Sequence, residues 1–263
     1  MFEDELIIGA YFYGNAERVI DIVDFARNLL KEIEKISPWS QPFDVSGYTK
    51  ATSDLLVKED LSNFNDVLLK VWKSSDSVYY DLDGTRTLEI SENYSVKTGL
   101  RVTFSNFIQS QDESNRVSIS LHMGQDHIGL ASKNVPNNVL ISVPKYRSGQ
   151  INNSWAQKEV VEGLMRYLID LVKPYQCAAF SSRNTVSEVD GRISLYKFNW
   201  LTYISVPEVC DLLSDSTFAR ECDEGLWFDF GNDVNTVATP CVKEAAMDIN
   251  RRLIGANLES KRF

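Results

Sequence analysis

Basic residues are the scarce kind in this chain. Its 263 residues carry 27 Lys and Arg against 37 Asp and Glu, a net charge of −10. A surface of that sign repels a phosphate backbone, which argues against direct nucleic-acid binding and favours a basic protein partner. Cysteines are few and scattered: Cys177, Cys210, Cys222 and Cys241 include no C-x-x-C pair. That spacing excludes the common metal and redox motifs and fits reduced thiols in a cytosolic core. His122 and His127 are the only histidines. Placed five apart around Gly124, beside Asp126, they match neither a helix-face nor a finger spacing, and read as a strand-end and a loop histidine. No apolar run approaches the ~20 residues of a membrane span. The opening Met1-Phe2-Glu3-Asp4-Glu5 is acidic where a secretory signal would be basic, so a cytoplasmic location is expected. G-x-G-x-x-G, P-loop and G-x-S-x-G strings are all missing. These absences lead to the expectation of a non-enzyme with no metal and no cofactor.

What is present is enough to fold. A hydrophobic content of 43% and an aromatic content of 11% support a sizeable core. The length suits one domain, 1–263, divisible into halves 1–150 and 151–263. Leu6 to Tyr13 has strand length and composition and ends at Gly14-Asn15, with Asn15 placed to cap a following helix. Val19, Ile22, Val23, Ala26, Leu30 and Ile33 recur at helical spacing, and a second amphipathic helix spans Leu61 to Trp72. Period-2 alternation then runs through Leu100–Phe104, Val117–Leu121 and Val139–Val143, the pattern of antiparallel strands with one wet face. Ser154 and Gln157 form a capping box before a helix with Val161, Leu164, Leu168 and Leu171 inward, closed by Pro174. Strands are expected at Cys177–Phe180, Ile193–Ser205 and Leu226–Phe230. Thr239 and Pro240 open a last helix with Val242, Ala246, Ile249 and Leu253 inward. The fold class is therefore α+β: a largely antiparallel sheet covered by long amphipathic helices, in two loosely similar halves.

Three constellations carry candidate chemistry. Asp81-Leu82-Asp83-Gly84-Thr85 looks like the first motif of haloacid-dehalogenase-type phosphotransferases, with Asp81 as nucleophile and Asp83 as acid/base beside Mg²⁺. A long stretch of chain precedes it, however, and β-like segments rather than a βα alternation follow it. Asp-Gly is also an ordinary hairpin turn, and Gly231-Asn232-Asp233 is ordinary loop chemistry. Trp200, Tyr203, Trp227, Phe228 and Phe230 offer either a ligand-stacking platform or, more simply, core on the sheet strands. In Trp200–Ile204 both parities are apolar, as in a central strand buried on both faces. The third constellation is charge. Between Ile204 and Asp233 lie eight acids and a single base, Arg220, which is most of the chain's excess. A solvated acidic face is one reading. The other is a binding surface for a basic partner, formed by Glu208, Asp211, Asp215, Glu221, Asp223 and Glu224, with Trp227 or Phe218 as an anchor.

Asn199-Trp200-Leu201-Thr202-Tyr203-Ile204-Ser205, then Gly225-Leu226-Trp227-Phe228-Asp229-Phe230-Gly231, then the Pro240-opened helix to Leu253, resemble the end of the immunity protein 52 family. The resemblance covers roughly the last quarter of the chain, and before that only the order of elements agrees. It implies a cytoplasmic immunity protein that neutralises a cognate bacterial toxin by stoichiometric occlusion. Family members are often encoded beside polymorphic toxins of restriction-endonuclease-like fold, with type VI secretion as a delivery route. The family brings no catalytic motif to carry over. Two other readings stand beside it: the Mg²⁺-dependent phosphotransferase on Asp81 and Asp83, and a ligand-binding module on the aromatic strands.

Overall fold

The computed structural model describes residues 5–14, 17–36, 43–46, 55–58, 60–73, 79–80, 86–87, 98–106, 116–125, 136–144, 153–181, 186–189, 191–222, 224–234 and 239–259. In chain order these form β1 (Glu5–Phe12), α1 (Val19–Ile36), β2 (Phe43–Ser46), β3 (Leu55–Val57), α2 (Phe64–Lys73), β4 (Tyr79–Tyr80) and β5 (Arg86–Thr87). Then come β6 (Thr98–Ser105), β7 (Ser118–Gln125), β8 (Asn137–Pro144), α3 (Lys158–Val172), β9 (Gln176–Ser181), β10 (Val186–Val189) and β11 (Arg192–Phe198). The chain closes with β12 (Leu201–Ile204), α4 (Pro207–Leu213), β13 (Ala219–Cys222), β14 (Gly225–Asp229) and α5 (Pro240–Gly255). The class is α+β with extensive antiparallel pairing, as the alternation of apolar residues predicts. The chain divides into two compact units, one of Met1–Tyr11 with Ser142–Phe263, the other of Phe12–Ile141. The first strand thus groups with the C-terminal part, so a cut at residue 150 does not describe the division.

In the unit Phe12–Ile141 the strands run in the order β8-β7-β6-β2-β3. Strands β6 and β7 pair antiparallel with Leu100 opposite Met123, Val102 opposite Leu121 and Phe104 opposite Ile119, all buried. Between these rows Thr103 and Ser120 share a 2.8 Å hydrogen bond. Helix α1 buries Val19, Ile22, Val23, Ala26, Leu29, Leu30 and Ile33, the i, i+3, i+4 stripe of an amphipathic helix. Helix α2 begins at Phe64, later than the periodicity suggests. Leu61 takes a left-handed conformation (φ 55°), which breaks the helical run. The Phe64 ring stacks on Phe104 at 5.6 Å and the Trp72 indole donates to the Arg101 carbonyl at 2.8 Å. His122 is not at a strand end: it lies within β7, opposite Arg101, and is buried. His127, Asp126 and Asn15 lie outside the described residues. Strands β4 and β5 pair antiparallel on either side of the D-x-D-G-T string. Asp81 and Asp83 themselves lie outside the described residues.

The other unit has the strand order β13-β14-β12-β9-β1. β9 and β12 are buried at every position, which explains why both parities of β12 are apolar. They are the inner strands: β9 pairs antiparallel with β1 and with β12, and β12 with β14. Helix α3 packs on β9 with Val161, Leu164, Met165 and Leu168 inward. Leu171, expected inward, is 38% exposed. The helix ends one residue later, and Lys173 turns left-handed ahead of Pro174. The expected Ser154/Gln157 capping box is replaced by a short 3-10 turn, Ser154–Ala156, in which Asn153 accepts from the Trp155 amide. Helix α3 itself starts after Gln157, which makes no side-chain cap.

The long strand expected over Ile193–Ser205 is broken at Asn199-Trp200. β11 pairs with β10 in a separate two-stranded sheet, while β12 joins the larger run. Side chains hold the bend between them: Asn199 accepts from the Ser181 amide, and the Trp200 indole donates to the Gly231 carbonyl at 3.0 Å. Helix α5 lies against β10 and β11 and buries Ala246, Ile249, Asn250 and Leu253. Val242, expected inward, is half-buried and does not join that buried stripe. Thr239 occupies the N-cap position without a side-chain bond, and Pro240 opens the first turn. Among the described residues no helix is long and apolar enough to cross a membrane.

Candidate functional site

The acidic segment runs through α4, β13 and β14 to Asp233. Helix α4 starts at Pro207 and turns Val209 and Leu213 inward, which leaves Glu208 and Asp211 exposed on its outer side. Strand β13 is at the end of its unit's strand order and pairs with β14 through Ala219–Phe228, Arg220–Trp227, Glu221–Leu226 and Cys222–Gly225. Arg220 and Glu221 are exposed, and charged side chains on such a strand discourage random edge-to-edge pairing. Glu224 and Asp233 are also exposed. Asp223 lies outside the described residues.

Among the described residues, Asp215, Glu224 and Asp229 are matched by cations from distant parts of the same unit. Asp215 pairs with Arg252 of α5 at 2.7 Å, and that hydrogen-bonded partner holds its carboxyl below the ordinary range. Glu224 pairs with Lys173 at 3.5 Å. Asp229 pairs with Lys158 of α3 at 2.7 Å. Nothing in the local sequence signals these pairings, since each cation comes from another element, far along the chain. Asp211 and Glu221 are exposed and make no ion pair among the described residues.

Lys158 also settles what the Gly231-Asn232-Asp233 loop does. Its ammonium reaches the Gly231 carbonyl at 3.1 Å and the Asn232 side-chain oxygen at 3.4 Å, besides Asp229. The Gly231 amide in turn donates to Asp229 at 3.1 Å. The loop's oxygens therefore surround a lysine that ties it to the start of α3. Among the described residues no group of three or more His, Cys, Asp or Glu could hold a metal ion.

Trp200, Tyr203, Trp227, Phe228 and Phe230 are all buried, and the stacking platform is thereby removed. Phe228 packs edge-on to Phe198 at 5.2 Å, and Phe230 stacks on Phe218 at 4.9 Å. Trp227 is only 3% exposed, so it cannot serve as a protruding anchor. The guanidinium carbon of Arg166 lies 5.4 Å from its ring centroid, and that of Arg220 lies 5.5 Å away. Both distances are within cation–π range. The Trp227 indole N–H is buried without a hydrogen-bond partner, a deficit on the order of 1–3 kcal/mol.

Gly225 places this hairpin against β12. A Cβ there would lie 2.1 Å from the Ile204 carbonyl oxygen, a contact only glycine permits. Gly225→Ala is expected to lower stability by about 1–3 kcal/mol by pushing the start of β14 off β12. A urea midpoint equal to that of the unmodified protein would show that the Ile204 carbonyl yields instead.

No protein-family model matches the chain, and no curated protein is detectably similar to it.

Proposed function

We propose that this chain is a cytoplasmic immunity protein that binds a cognate bacterial toxin one-to-one and blocks it by occlusion. The toxin is a basic nuclease of restriction-endonuclease-like fold, delivered by type VI secretion. The observation that carries the reading is the exposed acidic surface of α4 and β13, where Asp211 and Glu221 stand without ion pairs among the described residues. A nuclease must present a basic groove to nucleic acid, and an acidic protein surface competes for or flanks that groove. The resemblance of the last quarter of the chain to the immunity protein 52 family supports the same reading. On this view the protein catalyses nothing.

Co-expression is the direct test. The toxin encoded beside this chain should arrest growth alone, and the chain produced in the cytoplasm should restore it. The two should co-purify as a 1:1 complex. Protection seen only when the chain is exported to the periplasm, or rescue without a complex, would sink the proposal.

A further inference from the structure

The unit that carries the acidic segment also contains a cavity of about 300 Å³. That volume is at the small end of ligand-pocket sizes. One wall is the C-terminal part of α3, where Arg166, Ile169 and Asp170 lie at i, i+3 and i+4 on one helical face, with Lys173 added from the turn that ends the helix. The opposite wall is a row across three strands, since Tyr203 of β12 is opposite Trp227 of β14 and Trp227 is opposite Arg220 of β13.

The charges in this cavity do not cancel in place. Lys173 engages both carboxylates, Glu224 at 3.5 Å and Asp170 at 3.9 Å. The Tyr203 hydroxyl is committed to the Glu224 carbonyl at 3.3 Å. What remains is a surplus of donors. Arg166 and Arg220 both lie over the Trp227 ring, and neither makes an ion pair among the described residues. Trp227 contributes its ring to the wall, whereas its indole N–H is buried. Guanidinium forks match the planar geometry of a carboxylate with two parallel hydrogen bonds. Ile169 and the indole supply apolar wall for a short hydrocarbon chain behind it.

We infer that this cavity is a binding site for a carboxylate on a short apolar chain, held by the guanidinium groups of Arg166 and Arg220 that line it beside Trp227. The carboxylate belongs either to a small organic acid or to an acidic side chain of a docked polypeptide; the recognition chemistry is the same. The site lies beside the acidic surface yet has the opposite preference, so it does not depend on the function proposed above.

Titration of the ¹⁵N-labelled full chain with succinate, at ionic strength held constant with chloride, tests this. The Trp227 indole and the Arg166 and Arg220 Nε–H signals, assigned through Trp227→Phe, Arg166→Gln and Arg220→Gln, should shift saturably. Arg166→Gln and Arg220→Gln, both on exposed positions, should each weaken binding about tenfold or more. Arg251→Gln, exposed on α5 and absent from the cavity lining, should leave binding unchanged. Binding of an end-capped peptide with a single glutamate as tightly as succinate assigns the site to a polypeptide side chain. Exclusion of that peptide assigns it to a free acid. A linear drift no larger than that produced by chloride overturns the inference, as does equal affinity in folded Arg166→Gln and Arg220→Gln proteins.

Discussion

Replacing Trp200 by alanine is expected to lower stability by about 3–5 kcal/mol. The indole is fully buried, and truncation leaves a cavity that the close-packed inner strands cannot collapse to fill. It also removes the 3.0 Å bond to the Gly231 carbonyl. That carbonyl would not be stranded, because the Lys158 ammonium still reaches it at 3.1 Å. Most of the loss is therefore packing, not an unmet hydrogen bond, and Trp200→Phe should recover a large part of it. Urea denaturation of the two variants separates the contributions. A Phe variant as unstable as the Ala variant would mean that the indole N–H, and the loop it holds, carries the energy instead. Trp200 also sits at the bend where the chain leaves the β10–β11 sheet, so its removal should loosen protection of the β12 amides before those of β9.

The bend at Trp200 also marks where the sequence stops being legible. Periodicity is a local property, and the elements whose fate is local were readable: the stripe of α1, the paired alternation of β6 and β7, the doubly apolar β12. Asn199-Trp200 was not, because both residues are compatible with a continuing strand and only their partners, Ser181 and Gly231, enforce the turn. The late start of α2 has the same origin, a left-handed Leu61 that no propensity announces. Charge was misjudged for a related reason. A count along the chain treats Asp215, Glu224 and Asp229 as free, whereas Arg252, Lys173 and Lys158 arrive from other elements through tertiary packing. The contacts of Arg166 and Arg220, from α3 and β13, with the Trp227 ring are likewise made only by the fold. The candidate surface was thus visible as a segment, and its pairing pattern emerged only from the fold.

That pattern selects the residues for testing the toxin-binding surface. Reversing Asp215 or Glu224 would set a new lysine against Arg252 or Lys173 and mix binding with internal repulsion. Asp211→Lys with Glu221→Lys avoids this, since both are exposed and outside any ion pair among the described residues. Exposed substitutions of this kind usually shift stability by no more than about 0.5 kcal/mol, so unfolding should be unaffected. Complementary charge acts mainly on encounter, where steering changes on-rates by roughly 10–10³-fold. The double reversal should accordingly slow association with the basic toxin about tenfold or more at low salt, and leave the dissociation rate nearly unchanged. At about 1 M salt the screening length falls to about 3 Å and the difference should vanish. Stopped-flow association at both salt concentrations reads the result. Unchanged association at low salt, with the fold intact, would remove α4 and β13 from the interface and move the search to residues 124–138. A dissociation rate that rises at both salt concentrations would instead make Asp211 or Glu221 a buried contact of the complex rather than a steering charge at its rim.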